Sequence, residues 1–162
     1  MKAEVNGLNE EVVKLLIEKK KTISAAESCT GGLFAALITN VPGSSEVFNE
    51  SYVTYSNEIK EKNLGVKHDT LNKYGAVSSQ TAFEMAKGLY ERTGAYVTVG
   101  ITGIAGPGGG SDEKPVGLVY AGISVDGNIE VIEMHNTGTR EEIREKTCIN
   151  VFKNIKERIS VQ

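Results

Sequence analysis

At 162 residues, 40% hydrophobic and 24% charged, the chain is long enough to bury one core and has the composition of an ordinary globular domain. A formal net charge of −3 gives no reason to expect nucleic acid or an anionic membrane as the main partner, and no apolar run approaches the length of a membrane span. Cys29 and Cys148 lie far apart and outside any CxxC pair, and the N-terminus has no signal-like apolar stretch. These features predict a soluble protein in the reducing cytoplasm.

The first predicted element is a helix capped by Asn9. Glu10 and Glu11 suit its positive end, and Leu8, Val12, Val13, Leu15 and Leu16 form one apolar stripe. The run Lys19-Lys20-Lys21 reads as its solvated, basic end. Ile23 to Ala26 is a short buried strand that runs into Thr30-Gly31-Gly32 and a helix over Leu33–Thr39, which Pro42-Gly43 breaks. Ser44-Ser45 then caps a short turn leading to Phe48. Ser51–Tyr55 alternates and is rich in β-formers, which predicts a second strand. A helix over Asn57–Leu64 closes at Gly65, and a turn-rich helical piece surrounds Leu71 and Tyr74.

Ser78 or Ser79 opens a further helix, with Ala82, Phe83, Ala86 and Leu89-Tyr90 at helical spacing and Gly94 at its end. Tyr96–Thr102 is the strongest strand pattern, and a glycine-rich loop from Gly103 to Ser111 follows it. Gly117–Val125 and Ile129–His135 are strands joined by Asp126-Gly127, a hairpin signal. Thr139-x-x-Glu142 is a capping box that starts a last helix running to about Arg158. Alternating β and α elements with one hairpin predict a single-domain, three-layer α/β/α sandwich around a mixed sheet.

Two segments carry chemical potential on their own. In Glu27-Ser28-Cys29-Thr30-Gly31-Gly32 a strand turns into a helix, where free N–H groups and the helix dipole would stabilise an anion or an oxyanion. The plainer reading makes Ser28 and Thr30 simple N-caps. Cys29 in that turn is an admissible nucleophile if the helix end lowers its pKa, but no histidine lies near it in sequence. In Tyr55-Ser56-Asn57-Glu58-Ile59-Lys60, a desolvated Lys60 can deprotonate a hydroxyl, and Tyr55 can relay the proton or hold the serine.

The remaining motifs are less specific. The loop from Gly103 to Gly110 is neither a Walker A loop nor a dinucleotide fingerprint, yet its place after the most buried strand suits a ligand-lining edge. His68 and His135 lie in no metal-ligand spacing, and no GxSxG elbow supports a Ser-His-Asp triad. Arg140, in the first turn of the last helix, can reach a phosphate or simply pair at the surface.

Taken together and in order, six segments resemble the CinA C-terminal domain family. They are Ala26-Glu27-Ser28-Cys29-Thr30-Gly31-Gly32, Pro42-Gly43-Ser44-Ser45, Val53-Thr54-Tyr55-Ser56-Asn57-Glu58 with Lys60, Gly75-Ala76-Val77-Ser78, Thr102-Gly103-Ile104-Ala105-Gly106-Pro107 and Lys114-Pro115-Val116-Gly117. The resemblance implies an amidohydrolase that converts nicotinamide mononucleotide to nicotinic acid mononucleotide and ammonia, in pyridine-nucleotide salvage. It implies a serine nucleophile, Lys60 as base with help from Tyr55, and backbone N–H groups for the oxyanion. It further implies no metal, no cofactor, a small-molecule nucleotide substrate and a homo-oligomer. Many members carry a larger N-terminal domain, so this chain is expected to be the stand-alone form.

The resemblance associates both Ser28 and Ser45 with the site. Ser45 is placed first as nucleophile, with exchange of the two roles left open. Glu27, Thr30, Gly31, Gly32, Asn57, Thr102, Gly103, Gly106 and Arg140 are then the expected substrate contacts. Two rivals remain: a non-catalytic nucleotide-binding or regulatory module linked to competence or DNA damage, and a cysteine-dependent amidase using Cys29.

Overall fold

The apolar segments ending at Glu27, Val53, Gly103, Val125 and His135 pair into one sheet, and the amphipathic segments between them cover it. The computed structural model describes residues 2–161. Its elements are α1 (Lys2–Lys19), β1 (Ile23–Glu27), α2 (Leu33–Thr39), β2 (Tyr52–Val53), α3 (Asn57–Leu64), α4 (His68–Tyr74), α5 (Ser79–Thr93), β3 (Val97–Gly103), β4 (Leu118–Val125), β5 (Asn128–His135) and α6 (Arg140–Ser160), with a 3-10 turn at Ser44–Glu46. The strand order is β2-β1-β3-β4-β5. β2, β1 and β3 are parallel, whereas β4 and β5 are antiparallel to their neighbours.

Period-two alternation makes the two faces of the sheet chemically different. Ile23, Ala25, Val97, Val99, Ile101, Ala121 and Ile123 face α1, α2 and α6 and merge with Val12, Leu16, Phe34 and Phe152 in the larger core cluster. The opposite face is small and polar: Thr98, Gly100, Thr102, Gly122 and Ser124. There α5 lies close against the strands, backed by α3 and α4. The glycines are required for that approach. A Cβ on Gly100 would sit 2.6 Å from Met85 Cβ, and one on its register partner Gly122 would sit 2.3 Å from Ala82 O. Thr98 completes the seam by donating its hydroxyl to Ala86 O at 2.8 Å.

Most element ends follow local chemistry. Ser56, Ser78 and Thr139 cap α3, α5 and α6, the last in a full capping box, and Gly65 and Gly94 close α3 and α5 in left-handed conformations. Asp126 and Gly127 both take positive φ, 51° and 83°, as a tight hairpin demands. Two expectations are corrected. Asn9 does not cap α1, which starts at Lys2; Asn9 is buried inside the helix and donates its amide to Leu37 O at 2.6 Å, tying α1 to α2. The strand expected over Ser51–Tyr55 shrinks to Tyr52–Val53, because the Ser51 hydroxyl, rather than its backbone, bonds Ala25 O and Ala25 N.

Candidate active site

β1 ends at Glu27, whose carboxylate points back under the following helix rather than out toward a ligand. It accepts the N–H groups of Phe34 (2.8 Å) and Ala35 (3.1 Å) and is buried. The first turn of α2 is therefore already neutralised by the chain's own anion. This corrects the expected anion cradle at that helix end. It also removes the plainer reading of Ser28 and Thr30, because Gly32 is the N-cap of α2 and no side chain caps it. Gly31 and Gly32 take φ of 56° and 99°, which lets the chain reverse between Ser28 and α2.

Ser28 is thus free of capping duty. Its N–H extends the β1–β3 ladder to Ile101 O at 2.9 Å. Its hydroxyl accepts a hydrogen bond from Lys60 Nζ at 3.0 Å and makes a longer one to Tyr55 O at 3.4 Å. Lys60 arrives from α3 on the other face of the sheet, on the same helix side as Leu64 four residues on. It is 1% exposed and gives a second hydrogen bond to Tyr55 O at 3.1 Å. Burial lowers its amine from 10.5 to about 8, against a small opposing effect of Cys29. A serine hydroxyl and a lysine near neutrality are in direct contact, which is the geometry of a nucleophile and its base.

Around this pair lies a cavity of about 280 Å³, bounded by Ser28, Cys29, Tyr55, Lys60, Ala76, Val77, the Thr102–Gly106 segment, Gly108 and Gly109, with Arg140 beside them. That is near the lower end of small-ligand sites, which run to about 300–1,000 Å³. Thr102 fastens the wall by donating to Ala76 O at 2.8 Å. Gly103 is required because a Cβ there would meet Val119 Cγ2 at 2.6 Å. Gly106 (φ 76°) has its carbonyl taken by Arg140 Nη1 at 2.6 Å, and Arg140 Nη2 also donates to Tyr55 Oη at 3.2 Å.

Several expected site residues lie elsewhere. Ser45 is exposed in the 3-10 turn beside Phe48, which bridges to Ile23 at the opposite end of β1. Roughly 16 Å of strand separates that end from Ser28, at about 3.3 Å per residue. Within this chain no hydrogen bond joins Ser45 to Lys60 or Tyr55, whereas Ser28 contacts Lys60 directly. The Tyr55 phenol does not touch Ser28 or Lys60; its ring is 60% exposed, and only its main-chain carbonyl joins the pair. Glu27, Thr30, Gly31, Gly32 and Asn57 do not line the cavity. Thr30 is fully buried, and its hydroxyl has no partner among the described residues. Cys29 does border the cavity, but burial pushes its thiol up to about 12, the reverse of the lowering expected from the helix end.

Ala76 and Val77, which the sequence singles out only as part of a family segment, border the cavity; Arg144, whose guanidinium holds Thr30 O at 2.6 Å, is the residue that sequence reasoning missed. The one available signal for Arg144 was its place four residues after Arg140, on the same face of α6. Among the described residues, no three His, Cys, Asp or Glu side chains gather as a metal site, and no helix is long and apolar enough to cross a membrane.

Known proteins match this arrangement over most of the chain. The model of the CinA C-terminal domain matches residues 5–159. Putative competence-damage inducible proteins of Clostridium perfringens and Acetivibrio thermocellus are each 54% identical, over 145 and 139 residues. Those matches cover 90% and 86% of this chain but 35% and 34% of the relatives, so the chain spans about a third of their length. Among solved structures, a competence/damage inducible protein from Agrobacterium tumefaciens superposes with a TM-score of 0.91 at 42% identity, covering 94% of this chain and 93% of that one. A CinA superfamily protein from Klebsiella pneumoniae gives 0.93 at 31% identity, over 98% and 99%. With the family model covering nearly all of its length, this chain belongs to the CinA C-terminal domain family.

Proposed function

We propose that this protein is a serine amidase that hydrolyses the carboxamide of nicotinamide mononucleotide to nicotinic acid mononucleotide and ammonia. The observation that carries the reading is the 3.0 Å contact between Ser28 Oγ and the buried Lys60 Nζ. A module that only bound nucleotide would gain nothing from a lysine desolvated against a serine hydroxyl.

In the working state Lys60 is neutral, and its lone pair takes the Ser28 proton as Oγ attacks the amide carbon. The negative charge that forms on the amide oxygen faces the N–H of Cys29, the residue after the nucleophile. Among the described residues no backbone carbonyl accepts that N–H; its one neighbouring acceptor is its own thiol, which an oxyanion displaces readily. The Lys60 ammonium then gives its proton to the amide nitrogen as the C–N bond breaks, so that it leaves as ammonia, and the amine so regenerated takes a proton from the water that cleaves the acyl-enzyme. Tyr55 O accepts from Lys60 in the resting state and keeps Nζ aimed at Ser28. Arg140 at the rim suits the substrate's phosphate, since both its present acceptors are uncharged and a phosphate competes well for them.

The direct test is to incubate the purified protein with nicotinamide mononucleotide and measure ammonia together with the acid product. Ser28→Ala should abolish turnover, while Ser45→Ala should retain it. Absence of turnover in the wild type refutes the reaction, and loss of kcat in Ser45→Ala alone would transfer the nucleophile to that residue.

A further inference from the structure

Arg140 and Arg144 stand one turn apart on α6, and each gives a guanidinium N–H to a backbone carbonyl, Arg140 in the wall of the cavity and Arg144 in the turn behind Ser28. Arg140 holds Gly106 O in the glycine-rich loop, and Arg144 holds Thr30 O in the Ser28 turn, both at 2.6 Å. The helix that carries them is itself well anchored. A capping box fixes its first turn, and Phe152 stacks on Phe34 of α2 with ring centroids 4.4 Å apart.

The Thr30 carbonyl has two donors, Arg144 Nη2 and Leu33 N at 3.0 Å, so the Thr30–Gly31 peptide plane is pinned. The N–H at the other side of that plane belongs to Gly31 and donates to Ser28 O at 3.0 Å. Ser28 O in turn belongs to the peptide whose N–H is that of Cys29. A guanidinium charge on the first plane therefore orients and polarises the second, since linked hydrogen bonds strengthen one another. Arg144 does not line the cavity; beyond the field of its charge, which is felt at the Cys29 thiol, its contact with the catalytic turn runs through these two peptides.

We propose that Arg144 is a positioning residue for the reaction: through the Thr30–Gly31 and Ser28–Cys29 peptides it aims the Cys29 N–H at the developing oxyanion. The inference rests on Ser28 being the nucleophile, as proposed above. It separates the two arginines of α6 by task, with Arg140 facing the ligand and Arg144 holding the catalytic turn.

The test compares Arg144→Met and Arg144→Lys with the wild type by two rates. One is turnover of nicotinamide mononucleotide; the other is labelling of Ser28 by a fluorophosphonate, which needs the oxyanion donor but no nucleotide. In Arg144→Met both kcat and labelling should fall about ten- to a hundredfold per folded molecule, with KM within about threefold of wild type. Arg144→Lys, which restores one charged donor, should lose only about three- to tenfold, and it decides the matter if the methionine variant does not stay folded. A role confined to tying α2 to α6 would lower the melting temperature and leave both rates per folded molecule unchanged. That outcome, or a loss seen in KM alone, overturns the proposal. Wild-type protein that labels but does not turn over the nucleotide refutes only the substrate, and the labelling series still judges Arg144. Wild-type protein that does not label refutes the nucleophile and this inference together.

Discussion

Replacing Lys60 with methionine removes the ammonium while keeping an unbranched stem of similar length in the same slot. Burial holds the Lys60 amine at about 8 instead of 10.5. At about 1.4 kcal/mol per unit, that gap corresponds to at most roughly 3 kcal/mol of native-state cost for the charged form. Below about pH 8 the lysine is protonated in both native and unfolded chains, and the native state bears the whole cost. Between about 8 and 10.5 the unfolded chain binds more protons than the native one, so wild-type stability rises with pH through that window. Lys60→Met should lack this slope. Its gain at pH 7 is reduced because Ser28 Oγ and Tyr55 O each lose a donor, a loss of about 1–3 kcal/mol. At pH 7 the net expectation is a variant as stable as wild type or up to about 2 kcal/mol more stable, a rise of at most about 8 °C; as the native amine loses its charge this advantage falls away, and toward pH 10 the variant becomes the less stable by about the 1–3 kcal/mol of the lost donors. Turnover should fall about 10²–10⁴-fold. In the wild type, kcat/KM should rise with pH through a limb near 8, because only the neutral amine accepts the serine proton. Thermal melts and pH–rate profiles over pH 6–10 decide it. A flat wild-type profile, or a variant with wild-type turnover, refutes the base. A stability difference that does not move in favour of the wild type with rising pH refutes the desolvation argument.

Cys29→Ala should keep kcat within about threefold, and iodoacetamide should not inactivate the wild type, since a thiol held near 12 yields almost no thiolate at neutral pH. Gly122→Ala would place a Cβ 2.3 Å from Ala82 O, so denaturant unfolding should show a loss of about 2–3 kcal/mol as α5 is pushed off the sheet. Thr139→Ala breaks the capping box and should cost about 1 kcal/mol in the same measurement.

Whatever depended on local chemistry was legible in the sequence. The hairpin at Asp126-Gly127, the caps at Ser78 and Thr139 and the closure of α3 at Gly65 each rest on residues within a turn of one another. Side chains whose partners lie far along the chain were misread. Asn9 looked like a helix start because nothing nearby reveals Leu37 O, 28 residues on, as its acceptor. Glu27 looked like a ligand contact because its acceptor role toward α2 depends on how the turn folds back. Ser45 stood beside Ser28 as a candidate because both fall in motif segments, and a motif carries no information about which end of a strand it occupies. Arg144 reaches a carbonyl 114 residues away, and helical spacing alone cannot announce that.

The strand order explains why the cavity forms where it does. β1 lies between β2 and β3. The chain leaves β1 through α2 on one face, pairs as β2 on one side, and returns through α3, α4 and α5 on the other face to enter β3 on the far side. At the C-terminal ends of β1 and β3 the connections therefore diverge, and a crevice opens there, as expected at a switch point in a parallel sheet. Only at this point can a side chain from each face meet at one turn. Glu27 satisfies α2 from one side while Lys60 reaches Ser28 from the other. The N-terminal ends of the same strands have no divergence, and among the described residues the one buried lysine, Lys60, lies at the other end from the exposed Ser45. A lone serine at that end has no partner to take its proton, whereas beside Lys60 the Ser28 hydroxyl does. The topology, more than the serine's own motif, therefore favours Ser28.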